Sequence, residues 1–267
     1  MSLGNPMDLW WLIMVLINAA SVGIYSCLFV RSVRSDSMEP ENRRYKAILR
    51  FAGAIFLAVS MYRSVFVCSY PSRLAWFDTP FNGPLVIRIL ATFAELSFAV
   101  LVMVPVLHIN REMPLPCRTG LQKFLIYRLP YGTFLCLFTA QFFAYTGLFT
   151  QHLLLFTIEE TLWALGFLCI APAALCQARN VCANHGRDPA YRFIKVHLIL
   201  LSAFTVGYLC YQLGYALPFR HYLKLAADLK KPHLQMAEGA SLALHQYTAT
   251  HDFDAWGGIG FFLWHSG

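Results

Sequence analysis

Long apolar segments constrain the fold of this chain more than any other feature. They lie at residues 8–30, 47–68, 85–108, 122–148, 152–176 and 192–217, with a shorter one at 253–266. A helix needs about 20 residues to cross about 30 Å of hydrocarbon. The first six segments meet that length, and the seventh is expected to be a truncated span or a half-span. The pattern predicts an all-α polytopic membrane bundle.

The composition agrees with lipid as the solvent. Hydrophobic residues make up 58% of the 267 residues and charged residues 13%, whereas soluble domains average about 25% charged residues. The segment 8–30 is too long for the apolar part of a signal peptide and has no basic stretch before it, so it is interpreted as the first span. We expect a single transmembrane domain over residues 1–267.

Basic residues predict the orientation of the spans. Three alternate loops carry 12 of the 21 Lys and Arg residues, namely Arg31, Arg34, Arg43, Arg44, Lys46, Arg111, Arg118, Lys123, Arg179, Arg187, Arg192 and Lys195. The positive-inside rule assigns these loops to the cytosol, or to the matrix or stroma of an organelle, and the N-terminus to the outer side. The net charge of +7 is then a topology signal. No nucleic-acid partner is expected, because no motif for one accompanies the charge.

The outer part of the chain offers no recognisable metal or cofactor motif. Apolar residues recur at helical spacing in the segment 218–252, which predicts a pair of amphipathic helices interrupted at Pro232. Eight cysteines form no Cys-x-x-Cys pair, so neither a disulfide framework nor a zinc site is expected. The histidines near Asp252 and Asp254 match no metal-ligand spacing, and no cofactor is identified.

Charged residues in the outer half of the predicted spans form the candidate site. They are Arg63, Arg88, Glu95, Glu159 and Glu160. A charge at mid-bilayer costs about 3 kcal/mol, so such residues usually face the bundle interior and pair. The hypothesis is that Glu95 points inward and is met by Arg63, with Arg88 closing the outer side. Arg88 and Glu95 share a helix face but lie about 10 Å apart along the axis, which favours a bridged contact over a direct one.

Aromatic and amide side chains near the outer end of the sixth segment extend this candidate site. Tyr208, Tyr211 and Gln212 could line the same cavity as the charges. The alternative is that the tyrosines are anchors at the membrane interface, where amphipathic rings concentrate.

Three functions are compatible with such charges. The first is binding or passage of a small solute or a proton at the Arg and Glu residues. The second is a structural role, in which the charges hold helices together and the chain serves as a non-catalytic subunit beside other membrane subunits. The third is an intramembrane enzyme with a glutamate as acid or base. The enzyme is least favoured, because Ser64 and Thr92 have no evident base beside them.

One block of sequence, residues 62–98, carries a family resemblance. Its matching residues are Arg63, Ser64, Phe66, Trp76, Phe77, Asp78, Arg88, Ala91, Thr92, Ala94 and Glu95. This Arg-Ser-x-Phe, Trp-Phe-Asp and Arg-x-x-Ala-Thr-x-Ala-Glu pattern resembles a block in a family of uncharacterised multi-span membrane proteins. The segments 158–163 and 222–239 also resemble later blocks of that family. The resemblance implies a membrane fold of about seven helices and carries no activity.

Overall fold

The fold is almost entirely helical, as expected. A computed structural model describes residues 6–34, 40–70, 72–185 and 188–256. Within these residues, six helices are long and apolar enough to cross a membrane: Met7–Arg34, Asn42–Val65, Pro84–Glu112, Tyr131–Thr150, Leu153–Asn184 and Arg192–Asp228. The chain is therefore an all-α, multi-pass integral membrane protein, which confirms the predicted fold class.

The helices follow the chain with short connections. Their bounds are α1 Pro6–Arg34, α2 Pro40–Val65, α3 Pro84–Glu112, α4 Gly120–Tyr127, α5 Tyr131–Thr150, α6 Leu153–His185, α7 Arg192–Tyr211, α8 Leu223–Asp228 and α9 Met236–His245. A π-helical segment, Gln212–Tyr222, joins α7 to α8 without a break. Three two-residue strands, β1 Cys68–Ser69, β2 Leu74–Ala75 and β3 Thr248–Ala249, form a small sheet. In it β1 pairs antiparallel and β3 parallel to the central β2.

The fourth predicted span, 122–148, is divided in the structure. Helix α4 ends at Tyr127 and the spanning helix α5 begins only at Tyr131. Pro130 has no N–H and therefore cannot bond to the Ile126 carbonyl four residues earlier. The side-chain amide of Asn110 donates to that carbonyl instead, at 2.8 Å. Arg128 consequently precedes the membrane span.

The last part of the chain also differs in its boundaries from the prediction. The sixth spanning helix, which begins as α7, continues past residue 217 to Asp228. It is π-helical around Pro218, because proline has no N–H to donate in a regular α-helix. Helix α8 is the end of this spanning helix, and α9 follows after Pro232. Of the short seventh segment, residues 253–256 form a turn. The remainder lies outside the described residues.

The chain divides into two compact units. The first contains the described residues up to Ser97, Leu148–Gln151 and those from His233 onward, and the second contains Phe98–Gly147 and His152–Pro232. In the first, Met7, Val67, Trp76 and Trp256 form a buried cluster. In the second, α3, α6 and α7 bury a cluster consisting of Val102, Val106, Phe167, Ile170, Ala173, Ala174 and Leu201.

A histidine joins the beginning of α1 to the residues after β3 in the first unit. The ring of His251 stacks on Trp76 with 4.1 Å between centroids. Its Nδ1 lies 3.0 Å from Asp8 Oδ1 and its Nε2 lies 3.1 Å from the Trp76 carbonyl oxygen. Asp8 is buried, so this contact provides its carboxylate with a partner away from water.

Replacing Gly239 with alanine should destabilise the first unit. Gly239 is buried in α9, and a Cβ there would overlap the backbone carbonyl of Phe149, which cannot move as a side chain can. We expect Gly239→Ala to lower the unfolding free energy by about 3 kcal/mol. The control Gly207→Ala, where a Cβ meets open space, should change it by less than about 1 kcal/mol. Thermal unfolding in detergent, followed by tryptophan fluorescence, measures both; equal midpoints for the two variants would contradict this packing.

Candidate functional site

Two residues of the predicted site form a direct ion pair on α3. Arg88 Nη2 lies 2.9 Å from Glu95 Oε2, and Arg88 Nη1 lies 3.2 Å from Glu95 Oε1. The expectation of a bridged contact is therefore wrong. Helical side chains lean toward the N-terminus, so Glu95 leans toward Arg88, and the long arginine side chain covers the remaining distance. This bidentate contact compensates both charges within one helix.

Tyr70 contacts the arginine of this ion pair within the first unit. Arg88 Nη1 donates to the Tyr70 hydroxyl at 3.2 Å. The guanidinium carbon also lies 5.3 Å from the centre of the Tyr70 ring, within the range of a cation–π contact. The Arg88 side chain is fully buried and that of Glu95 is 15% exposed. The site predicted at this level is thus a compact Arg-Glu-Tyr contact.

Arg63 has a different neighbour from the one expected. Among the described residues it forms no ion pair with Glu95, and its buried Nε has no hydrogen-bond partner. Its guanidinium lies close enough to the Cys68 thiol to act on it electrostatically. Cys68 is 1% exposed, and burial raises the pKa of its thiol to about 12, with the charge of Arg63 offsetting a smaller part. Arg63 therefore belongs to the C-terminal end of α2, close to β1.

The second unit brings three other predicted residues together. Gln212 is fully buried at the first residue of the π-helical segment. Its Nε2 lies 2.5 Å from Glu160 Oε2 on α6 and 2.6 Å from the Tyr208 hydroxyl on α7. Because the amide has two N–H groups, these contacts use both of its donors. Glu160, Tyr208 and Gln212 form one hydrogen-bonded group, named here the Gln212 cluster.

Polar acceptors remain available beside this cluster. Gln212 Oε1 is buried and accepts no hydrogen bond within the described part of the chain. The same holds for the buried hydroxyls of Ser202 and Thr205 on α7, which lie ten and seven residues before Gln212, about 15 Å and 10 Å along the helix. A buried polar group left unsatisfied costs about 1–3 kcal/mol. These groups therefore have the capacity to bind hydrogen-bond donors.

A second contact ties the π-helical segment to α6. The Thr157 hydroxyl donates to the Leu153 carbonyl at 2.8 Å and lies 3.2 Å from His221 Nδ1. Since its only hydrogen is used on Leu153, the hydroxyl can act toward His221 only as an acceptor, which requires the hydrogen on Nδ1. The segment is thus held at both ends, by Gln212 and by His221.

Two further residues of the predicted site lie in the same unit. Glu159 is buried on α6, and the ring of Tyr211 packs on that of Tyr215 with 5.8 Å between centroids. Sequence reasoning missed Ser202, Thr205, Thr157 and His221. The available signal was the spacing of Ser202, Thr205 and Gln212, which repeats a polar residue on one face of an otherwise apolar helix.

Comparison with known proteins adds no relative to this description. No model of a known family, no curated protein and no solved structure matches the chain. The functional argument therefore rests on the contacts within each unit.

Replacing only Arg88 of the ion pair should destabilise the protein more than replacing both Arg88 and Glu95. Arg88→Met leaves the Glu95 carboxylate, which is only 15% exposed, without this guanidinium, at an expected cost of about 3–5 kcal/mol. The double variant Arg88→Met with Glu95→Leu removes both charges and should be clearly more stable than the single variant. Arg111→Met, at the exposed end of the same helix, serves as the control. Unfolding midpoints of the purified variants measure the difference, and a double variant less stable than Arg88→Met would argue against a pair.

The Cys68 thiol should be inert while the protein is folded. With a pKa of about 12, about one thiol in ten thousand is ionised at pH 8, and alkylation requires the thiolate. Cys117, which is partly exposed, should react with N-ethylmaleimide first, as mapped by mass spectrometry; unfolding should equalise the two. Equal alkylation rates in the folded protein would contradict the burial.

The raised pKa of the Cys68 thiol also adds stability that is complete below about pH 9 and is lost as the pH rises toward 12.

Proposed function

We propose that this membrane protein binds a proton or a small cationic solute, such as an amine, at the Gln212 cluster. The observation that carries the proposal is the amide oxygen of Gln212, which is fully buried and accepts no hydrogen bond among the described residues. Its amide nitrogen is meanwhile bonded to a carboxylate. A ligand that donates hydrogen bonds would provide the partner that Gln212 Oε1 lacks.

The balance of donors and acceptors supports a positively charged ligand. Both N–H groups of Gln212 are engaged by Glu160 and Tyr208, so the amide has no donor left to offer. An ionised carboxylate only accepts, and Gln212 Oε1 adds a second acceptor beside it. Ammonium groups are donors without acceptors. Such a group, or a proton on Glu160, is the complement of this cluster.

Two of the three carboxylates of the predicted site, Glu95 and Glu160, differ in their suitability. Both oxygens of Glu95 already accept from Arg88, so a proton or cation would have to compete with a bidentate guanidinium. Glu160 Oε2 accepts from the amide of Gln212, so this carboxylate adjoins the open oxygen Gln212 Oε1. Glu160 is therefore the carboxylate that this proposal uses.

The position of the cluster in the fold also supports a binding role. Glu160 lies seven residues after the first residue of α6, about 10 Å along that helix. Gln212 begins the π-helical segment, and π-type turns within helices occur frequently at functional sites. Ionisable residues inside a membrane are, by the same reasoning, candidates for ion or proton pathways.

Glu160→Gln should abolish stabilisation by a cationic ligand. We expect methylammonium chloride to protect the purified protein against heat more than potassium chloride at equal concentration. A ligand at ten times its dissociation constant adds about 1.4 kcal/mol. Glu160→Gln removes the charge while keeping the side-chain shape, so this increment should disappear. Thermal unfolding across a methylammonium titration gives the measurement.

The matched control is Glu238→Gln, which removes the same charge from an exposed position on α9. This variant should keep the increment. An increment that survives in Glu160→Gln would overturn the proposal. If the wild type shows no increment, proton binding is tested by proton release on raising the pH in weakly buffered detergent solution. Equal release by wild type and Glu160→Gln would then leave the structural-subunit role as the better interpretation.

A further inference from the structure

Helix α4 is held rigidly beside the start of α5 in the second unit. Thr119 and Gln122 cap its N-terminus reciprocally, with the Thr119 side chain accepting from the Gln122 N–H. The Tyr127 hydroxyl accepts from the Leu115 N–H at 2.9 Å. Ile126 is buried, and its carbonyl accepts from Asn110. A helix of two turns fixed by this many contacts can present a defined surface.

The outward surface of α4 forms an open cavity with basic and aromatic walls. The cavity has a volume of about 450 Å³ and is lined by Gly120, Lys123, Phe124, Tyr127, Arg128 and Tyr131. Two of these residues are cations and none is a carboxylate. Lys123, Tyr127 and Tyr131 recur at four-residue intervals, as do Phe124 and Arg128, so the lining follows one side of the chain across the break at Pro130.

The apolar part of the same surface is exposed. Leu121, Phe124 and Tyr131 are 67%, 50% and 54% exposed. Leu121 and Phe124 precede the spanning helix α5, and Tyr131 is its first residue. A short amphipathic helix at such a place rests in the interface between lipid headgroups and acyl chains. The cavity therefore opens at the level of the headgroups.

We infer that this cavity binds the headgroup phosphate of an anionic phospholipid. Lys123 and Arg128 supply two positive charges to the phosphate, and the exposed rings of Phe124 and Tyr131 supply apolar surface for the glycerol and the upper acyl chain. The loop belongs to the basic side predicted from the sequence, which faces the leaflet richer in anionic lipid. Basic pockets between membrane helices on that side bind such headgroups.

Charge-neutral variants of the two basic residues test the inference. We expect the full-length protein in non-ionic detergent to bind phosphatidylglycerol, counted by native mass spectrometry across a lipid titration. The double variant Lys123→Gln with Arg128→Gln should bind it about 30-fold more weakly, from the contribution of two basic residues at a membrane surface. Each single variant should bind about fivefold more weakly.

The control pair is Lys230→Gln with Lys231→Gln, which removes two exposed charges outside the cavity. This pair should bind phosphatidylglycerol as the wild type does. Size-exclusion elution and helical circular dichroism verify folding, and if the double variant fails to fold the two single variants carry the test. Phosphatidylcholine, which has the phosphate but no net charge, should compete poorly.

Three results would overturn the inference. One is undiminished binding by the Lys123 and Arg128 variants. Another is an equal loss in the control pair, which would indicate attraction by net charge alone. The third is full competition by inorganic phosphate at millimolar concentration, which would identify a site for a free anion instead of a lipid.

Discussion

The exclusion of water from the lipid interior is the constraint on which this structure depends. A charge or backbone carbonyl there must find its partner within the protein, since none is available outside it. Arg88 and Glu95 meet on one helix. The same compensation is seen just before the span α5, where the buried carbonyl freed by Pro130 is bonded by Asn110. The positions where such compensation is incomplete, above all the Gln212 amide oxygen, are then informative, because a group left open at that cost points to something that fills it.

Much of the fold could be predicted from the sequence, because span length and apolar composition are properties of consecutive residues. The six spanning helices follow from them directly. The irregular positions in the helices depended on single prolines. Pro130 separates α4 from α5, whereas at Pro218 the spanning helix that begins as α7 stays continuous and becomes π-helical. A proline predicts an interrupted hydrogen-bond ladder, but which structure replaces it depends on a distant donor such as Asn110.

For the candidate site, the sequence suggested which residues to consider but not how they pair. Depth along each predicted span selected Glu95 and Glu160, and each of these carboxylates contacts another residue of the selection. The partner of each depends on side-chain reach and helix rotation, which periodicity does not specify. Arg88 therefore contacts Glu95 directly although their Cα atoms are two turns apart, and Arg63 lies by Cys68 instead. Gln212, an uncharged residue, proved to be the centre of its group.

The ion pair confined to α3 has a consequence for how the protein is made. During biosynthesis, helices leave the translocon for the bilayer in sequence, and a charge that requires a later helix must wait for it. The residues Arg88 and Glu95 lie on a single segment that emerges as one piece. Once this segment is helical, the pair Arg88 and Glu95 can partition into lipid without net charge, before the later helices have entered the bilayer.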